Sequence, residues 1–206
     1  QVDASGATGL VTYIRTDSTR ISDEAANAAR GFIAAKYGEK YMPASRRYFK
    51  NRNSAQDAHE AIRPTRIDYT PDKVKGKLTS DQYRLYKLIY ERFIASQMAD
   101  AVYDICNVDV VAGNSLFKAS GQKLKFAGFT KLYEEHQDSE TDEAAKLPEI
   151  SEGEILCLKE LKKEQKFTQP PSRYTEASLI KALTDFGVGR PSTYAQIISV
   201  VFTRDY

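Results

Sequence analysis

The stretch from Thr79 to Met98 constrains the fold of this chain more than any other, because it has the signature of an amphipathic helix. Thr79 and Gln82 form a capping-box pattern, in which each side chain can satisfy a backbone N–H group of the other residue. Apolar and aromatic residues then recur at the 3.6-residue period of a helix. These are Tyr83, Tyr86, Ile89, Tyr90, Phe93 and Ile94. We expect a helix to about Met98 and assign its tyrosines to packing.

Helical signals also occur near both ends of the chain. Ser22 is a typical N-cap, and the helix predicted after it ends at Gly38. Its predicted buried stripe is Ala25, Ala28, Ala29, Phe32 and Ile33. Thr175 caps a second predicted helix, which ends at Gly187. A turn over residues 189–193 and a helix from Tyr194 then complete a helix-turn-helix outline.

The chain between residues 101 and 167 is rich in β-forming residues. Turn dipeptides at Gly113-Asn114 and Ser120-Gly121 favour a hairpin that pairs Leu116–Ala119 with Lys123–Phe126. Alternating residues predict a further strand over Glu154–Leu161. With helices on both sides, the predicted fold class is α+β, mainly helical.

Composition excludes several classes of protein. The 206 residues are 41% hydrophobic and 28% charged, which is typical of a soluble globular protein. No apolar run approaches the roughly 18 residues of a membrane-spanning helix, so we expect no membrane partner. Cys106 and Cys157 have neither metal-site nor disulfide spacing, and we interpret them as buried strand thiols of a cytoplasmic protein.

Residues 40–66 contain seven basic and two acidic side chains, a balance of charge that suits binding to the phosphate backbone of a nucleic acid. A solvated loop is the alternative.

The first chemical motif is Thr-Tyr-Ile-Arg-Thr-Asp-Ser over residues 12–18. A short strand is predicted over Gly9–Ile14, on which Tyr13 and Arg15 would share a face. A tyrosine hydroxyl needs help to act as a nucleophile, and a guanidinium beside it can also bind a phosphate bidentately. A packed strand tyrosine followed by a turn would have the same pattern.

The second motif runs from Ser54 to Thr65, within which we predict a short helix over Ala55–Ile62. It contains His59, one of two histidines, among charged residues, and a polar site that titrates near neutral pH is one interpretation. A structural hydrogen-bonding role is the other. The second histidine, His136, has no partner at a metal-ligand spacing, so we predict no metal site.

The third motif is Gly-Val-Gly-Arg-Pro-Ser-Thr over residues 187–193. Glycines, an arginine and hydroxyl groups ahead of a helix N-terminus can bind phosphate. A helix hairpin can also use glycine and proline in its turn without binding anything.

Together, in this order, the three motifs closely resemble the bacterial type IA DNA topoisomerases. The resemblance extends over almost the whole chain and implies ATP-independent relaxation of negatively supercoiled DNA through a 5′-phosphotyrosine intermediate, with strand passage and religation. It implies that Tyr13 is the nucleophile, that Arg15 binds the scissile phosphate, and that His59 assists catalysis. DNA-binding roles are implied for Arg15, Asp17, Arg63, Arg190, Ser192 and Thr193.

The resemblance also implies how the chain is organised. The family fold is a toroid, and residues 1–100 would be its helical tyrosine domain, residues 101–167 part of a β-rich arch, and residues 168–206 the truncated start of a helical DNA-binding domain. The Mg²⁺ ligands of the intact enzyme would lie outside this chain, so we expect the chain alone to be inactive. We expect single-stranded and negatively supercoiled DNA as partners, self-association through an exposed arch edge, and a bacterial cytoplasmic, nucleoid-associated location.

One departure from the family pattern and several alternatives stay open. Asp205 stands where glycine is common in the family, which affects the local turn. Within the family, reverse gyrase or a decatenating enzyme shares the tyrosine motif. Outside it, a non-catalytic helix-turn-helix DNA-binding module, or a structural part that binds a partner protein, would not need the hydroxyl of Tyr13.

Overall fold

A computed structural model describes residues 8–16, 18–49, 59–133 and 147–205. The fold is a mixture of helices and one small sheet, so the predicted α+β, mainly helical class is confirmed. The chain divides into two compact units, of which the first is Gln1–Asp104 with Lys123–His136 and the second is Ile105–Gln122 with Gln137–Tyr206. The boundaries of the three predicted domains stay predictions.

The described elements follow one another in a simple order. The first unit holds the helices α1 (Asp23–Tyr37), α2 (Pro71–Val74) and α3 (Ser80–Ser96), with short 3₁₀ turns at Glu39–Tyr41, Lys75–Lys77 and Gly128–Lys131. The strands β1 (Val102–Ala112) and β2 (Ser115–Phe126) form a two-stranded sheet, and the helices α4 (Glu176–Asp185) and α5 (Pro191–Thr203) follow in the second unit. None of the helices in the described ranges is long and apolar enough to cross a membrane.

The two long helices of the first unit begin where the sequence predicted. The Ser22 side chain accepts a hydrogen bond from the N–H of Ala25, and α1 ends at Gly38, whose positive φ of 94° favours glycine. Both hydrogen bonds of the predicted capping box at Thr79 and Gln82 are present. The helix at Thr79 is therefore confirmed, and so is the helix after Ser22.

The faces of α1 and α3 form one hydrophobic core with the loops beside them. Tyr86 and Tyr90 of α3 pack as predicted and donate their hydroxyls to the carbonyls of Tyr69 and Ile67, at 2.6 and 2.7 Å, whereas Tyr83 is only partly buried. Burial, helped by the charge of Asp68, raises the pKa of Tyr86 to about 12. The buried cluster contains Ala25, Ala29, Ile33, Tyr41, Tyr69, Val74, Tyr86, Tyr90, Phe93, Ile94 and Met98. Of the stripe predicted on α1, Phe32 is only partly buried and Ala28 is exposed.

The hairpin differs from the predicted one because its turn lies at Gly113-Asn114. The φ of Gly113 is +60°, which suits a tight two-residue loop. This register joins Asp109 to Lys118 at 3.7 Å and Asn107 to Ser120 at 2.9 Å. A turn at Ser120-Gly121 would break those pairs, so the predicted short hairpin was wrong and the strands are longer.

The prediction of buried strand cysteines was also wrong. Cys106 lies in β1 and Cys157 lies in the stretch Glu154–Leu161, and both are exposed. A two-stranded ribbon leaves its side chains accessible, and most side chains of β1 are exposed. The residues of Glu154–Leu161 are exposed and form no strand in the described part of the chain, since a strand requires a hydrogen-bonded neighbour.

The helical pair of the second unit confirms the helix-turn-helix outline. Thr175 caps α4 through the N–H of Ser178, and Gly187 follows with a φ of 70°. α5 begins at Pro191, three residues before the predicted Tyr194, because proline suits the first position of a helix, where no N–H partner is needed. After α5, Asp205 adopts a positive φ of 56°, the conformation that glycine takes most easily.

Candidate active site

The candidate nucleophile lies on a segment that is hydrogen-bonded to a distant part of the first unit. We name residues 10–16 and 18–22 the tyrosine segment, and residues 59–65 the histidine segment. Val11 and Pro64 form an isolated antiparallel bridge. On either side of it, the N–H of Thr12 donates to the carbonyl of Arg63 at 2.9 Å, and that of Thr65 donates to the carbonyl of Leu10 at 3.0 Å.

The side chain of Thr12 strengthens this junction directly before Tyr13. Its Oγ1 donates to the carbonyl of Ala61 at 2.8 Å and accepts from the N–H of Arg63 at 3.0 Å. The strand predicted over Gly9–Ile14 is therefore reduced to a single bridge. The Thr12 side chain bonds to backbone groups of Ala61 and Arg63 that a strand ladder would otherwise pair. Thr12, the residue ahead of Tyr13, is thus held through both its backbone and its side chain.

A second set of hydrogen bonds joins the two segments beyond Tyr13. Ser18 donates its hydroxyl to the carbonyl of His59 at 2.6 Å, and the N–H of Ala61 donates to the carbonyl of Arg20 at 2.8 Å. Of the helix predicted over Ala55–Ile62, residues 55–58 lie outside the described residues, and residues 59–62 are not helical. Their backbone groups bond to the tyrosine segment and so are not available to a helix.

Tyr13 projects into solvent beside His59. Its exposed fraction is 76%, and its ring centroid lies 6.0 Å from that of His59, with the ring planes inclined at 36°. The Nδ1 atom of His59 is buried and has no hydrogen-bond partner among the described residues. The pair thus combines an accessible hydroxyl with an imidazole nearby, which suits attack on a large substrate.

The two other predicted residues of this motif have different outcomes. Arg15 is partly buried and follows Tyr13 by two residues, so it lies near the candidate nucleophile in the chain. Asp17 lies outside the described residues. The role of each in binding phosphate stays a prediction.

Arg63, predicted to bind DNA, is engaged within the protein. Its Nε and Nη2 donate to Oε2 of Glu60 at 3.1 and 2.6 Å, and its Nη1 donates to the carbonyl of Pro64 at 3.0 Å. The exposed fractions of the Arg63 and Glu60 side chains are 14% and 23%. This geometry favours a structural role, although the predicted DNA contact is not tested by it.

Glu60, one of the charged residues around His59 in the second motif, joins the two segments in a way that the sequence did not predict. Its Oε2 holds Arg63, while its Oε1 accepts the N–H of Ser22, the N-cap of α1, at 3.1 Å. Partial burial raises the pKa of this carboxyl, but the hydrogen bonds and charge of Arg63, with the hydrogen bonds of Ser22, outweigh burial and leave the pKa below its ordinary value. The sequence placed Glu60 among the charged residues around His59 but gave no sign of its bond to Ser22.

The remaining predicted DNA-binding residues belong to the second unit. The Arg190 side chain is exposed, and its Nη1 donates to the carbonyl of Gly189 at 2.7 Å. Thr193 accepts the N–H of Arg190 at 2.9 Å and so caps α5, whereas Ser192 is exposed in the first turn. A Cβ at Gly189 would lie 3.0 Å from Ile197, and the φ there is +77°, so both space and backbone favour glycine. An exposed guanidinium and hydroxyl at a helix start suit a phosphate group.

The described residues contain no group of three or more histidine, cysteine, aspartate or glutamate side chains that could hold a metal ion. The histidine and carboxylate of the site, His59 and Glu60, do not form such a group. Glu60 is already engaged with Arg63 and Ser22.

Comparison with known proteins agrees with the motifs. A family model described as DNA topoisomerase matches residues 6–206. The solved structure of full-length topoisomerase I from Thermotoga maritima matches this chain with 35% sequence identity and a TM-score of 0.76. The match covers 99% of this chain and 32% of that one, so the chain spans about a third of the length of that protein.

We predict that the Glu60→Gln substitution lowers stability at neutral pH and that the difference from wild type disappears in acid. Because the folded protein lowers the pKa of Glu60 below 4.5, ionised Glu60 stabilises the fold above that pH. This contribution is lost as the pH falls from about 4.5 through the folded pKa. Thermal unfolding of both proteins across this range measures the effect.

Glu152→Gln, at an exposed position of the second unit, is the control and should follow the wild-type curve at every pH. A difference between wild type and Glu60→Gln that stays constant down to the lowest pH would contradict the prediction.

Proposed function

Because this chain belongs to the family of bacterial type IA DNA topoisomerases, we propose that it carries the DNA-cleaving tyrosine of such an enzyme. The observation that carries this proposal is the placement of Tyr13. Its ring is exposed beside His59, while the backbone ahead of it is held by Thr12. A nucleophile for a polymer needs this combination, since the hydroxyl must be reachable and its position must be defined.

The proposed reaction is a reversible transesterification. Oη of Tyr13 attacks a DNA phosphorus and loses its proton, while the bond between phosphorus and the 3′ oxygen breaks. The 3′ oxygen takes up a proton, and the tyrosine remains joined to the 5′ phosphate. Religation reverses each step after another strand has passed. One phosphoester replaces another, so no ATP is consumed, and the result is relaxation of negatively supercoiled DNA.

The other predicted residues of the first two motifs have complementary proposed roles. Arg15 would bind the scissile phosphate, whose oxygens gain negative charge in the transition state. His59 would assist at the same centre, supported by its 6.0 Å ring distance from Tyr13. Asp17 and Arg63 would contribute to DNA binding, and for Arg63 this requires that its guanidinium contact phosphate without leaving Glu60.

We propose that magnesium acts in the intact enzyme through ligands outside this chain. No cluster that could hold a metal ion occurs in the described residues, and the residues that would hold magnesium belong to other parts of the intact enzyme. The chain alone would then be inactive. A cytoplasmic, nucleoid-associated location would follow from its DNA substrate.

We expect Tyr13→Phe in the intact protein to abolish both plasmid relaxation and the covalent adduct, because phenylalanine lacks the attacking oxygen. Binding of single-stranded DNA should remain close to wild type, since the exposed ring is retained. Agarose-gel relaxation and denaturing electrophoresis of a labelled oligonucleotide measure the two activities.

Tyr174→Phe, at another exposed tyrosine, is the control and should relax DNA normally. Relaxation by Tyr13→Phe would favour a non-catalytic helix-turn-helix module or a structural role. Reverse gyrase activity would appear as positive supercoiling, and a decatenating enzyme would preferentially unlink joined circles.

We predict that Arg190→Ala weakens binding of single-stranded DNA. Loss of one phosphate contact should reduce the slope of log affinity against log salt concentration by about 0.7, the value for a single strand. Fluorescence anisotropy over a salt series measures this slope.

Lys181→Ala removes an exposed positive charge from α4 and serves as the control. An equal change of slope in both variants would indicate a general effect of charge. The same series with Ser192→Ala and Thr193→Ala tests the weaker candidates.

We propose, finally, that the hairpin lets the isolated chain self-associate. A two-stranded sheet has unpaired backbone groups on both outer edges. Exposed apolar side chains such as Ile105 and Val111 accompany them. Light scattering should give a mass above 23.2 kDa that rises with concentration. Val111→Lys should return the mass toward the monomer, and a constant monomer mass for wild type would contradict the proposal.

A further inference from the structure

We propose that Glu60 is a positioning residue for the reaction of Tyr13, through its simultaneous bonds to Arg63 and Ser22. The proposal rests on the proposed function, because it names what holds the nucleophile and its neighbour in place. Each carboxylate oxygen has a separate task, with Oε1 on the backbone of the tyrosine segment and Oε2 on a side chain of the histidine segment. No other carboxylate in the described residues is seen to join these two segments.

The bond to Ser22 ties Glu60 to the start of α1. In a capping box, the third residue of a helix reaches back to the N–H of the N-cap. Here that residue is Ala25, which has no polar side chain, and Glu60 supplies the acceptor from 38 positions away. The end of the tyrosine segment and the beginning of the helix are therefore held by the residue next to His59.

The bond to Arg63 connects Glu60 to the other side of Tyr13. The backbone of Arg63 makes two hydrogen bonds with Thr12, the residue before the nucleophile. Its N–H donates to Oγ1 of Thr12, and its carbonyl accepts from the N–H of Thr12. Fixing the Arg63 side chain therefore fixes the backbone on which Thr12 depends. Glu60 is linked to both ends of the loop that presents Tyr13, through Arg63 before Tyr13 and through Ser22 after it. It is also the chain neighbour of His59.

Removing Glu60 should disturb placement more than binding. The side chain of Arg63 is mostly buried, and without the carboxylate of Glu60 its guanidinium would have to reorient toward solvent. The N–H of Ser22 would lose its acceptor as well. Tyr13 is exposed and would stay accessible, but the orientation of its hydroxyl toward the phosphate would be less defined, and small displacements at a reacting centre cost up to about 100-fold in rate.

The test compares Glu60→Ala and Glu60→Gln with Asp68→Ala and Asp68→Asn in the intact protein. Asp68 is a matched control, because it too holds an arginine with two hydrogen bonds, from Nε and Nη2 of Arg66 at 3.1 and 2.8 Å. That pair is exposed on both sides. We expect Glu60→Ala to lower the rate of adduct formation at saturating DNA by roughly tenfold or more. The rate should fall by a larger factor than the affinity for DNA, to which Arg63 contributes, and the Asp68 variants should react like wild type.

Glu60→Gln is included in case Glu60→Ala does not fold. Its amide oxygen can still accept the N–H of Ser22, while the charge is lost. We expect an intermediate rate. If Glu60→Ala and Glu60→Gln form the adduct as fast as the Asp68 variants, or lose only affinity for DNA, the positioning role is overturned.

A second measurement separates this proposal from the assignment of the reaction. The imidazole NMR signals of His59, identified by their loss in His59→Gln, report its surroundings without any turnover. We expect them to shift in both Glu60 variants and to remain unchanged in the Asp68 variants. If Tyr13→Phe still forms an adduct, the proposed function fails whatever these signals do. If Tyr13→Phe is inactive and the His59 signals do not respond to Glu60, only the positioning role fails.

Discussion

Hydrogen bonding between the tyrosine segment and the histidine segment is the constraint on which the placement of Tyr13 depends. Neither segment forms a helix or a full strand, so each needs the other to satisfy its backbone groups. Thr12 and Ser18 add side-chain bonds on either side of Tyr13. The core of α1 and α3 supports this arrangement from one end, because Ser22 both begins α1 and binds Glu60.

The tyrosines of this unit divide into two physical kinds. Tyr86 and Tyr90 are buried, donate to backbone carbonyls and have raised pKa values, so their protons are held more firmly. Tyr13 is exposed. The backbone before it is held by hydrogen bonds, and the imidazole of His59 lies beside its ring. The same residue type is therefore held through its hydroxyl in the core and through the preceding backbone at the proposed nucleophile.

Local signals made most helices predictable, since the caps at Ser22, Thr79 and Thr175 depend only on neighbouring residues. The motifs identified the family as well. The strand of Cys157 and the turn at Ser120 were mispredicted, because strand pairing depends on partners that local sequence does not specify. The link from Glu60 to Ser22 was invisible for the same reason.

The pair of hydrogen bonds between Thr12 and Arg63 has a consequence for how the proposed site forms. These residues are 51 positions apart, so a long loop must close before Tyr13 acquires its neighbour. Contacts of such separation form together with the fold and not ahead of it. A nascent or locally opened chain thus presents an ordinary tyrosine, and the arrangement proposed for DNA cleavage forms only when the first unit has folded.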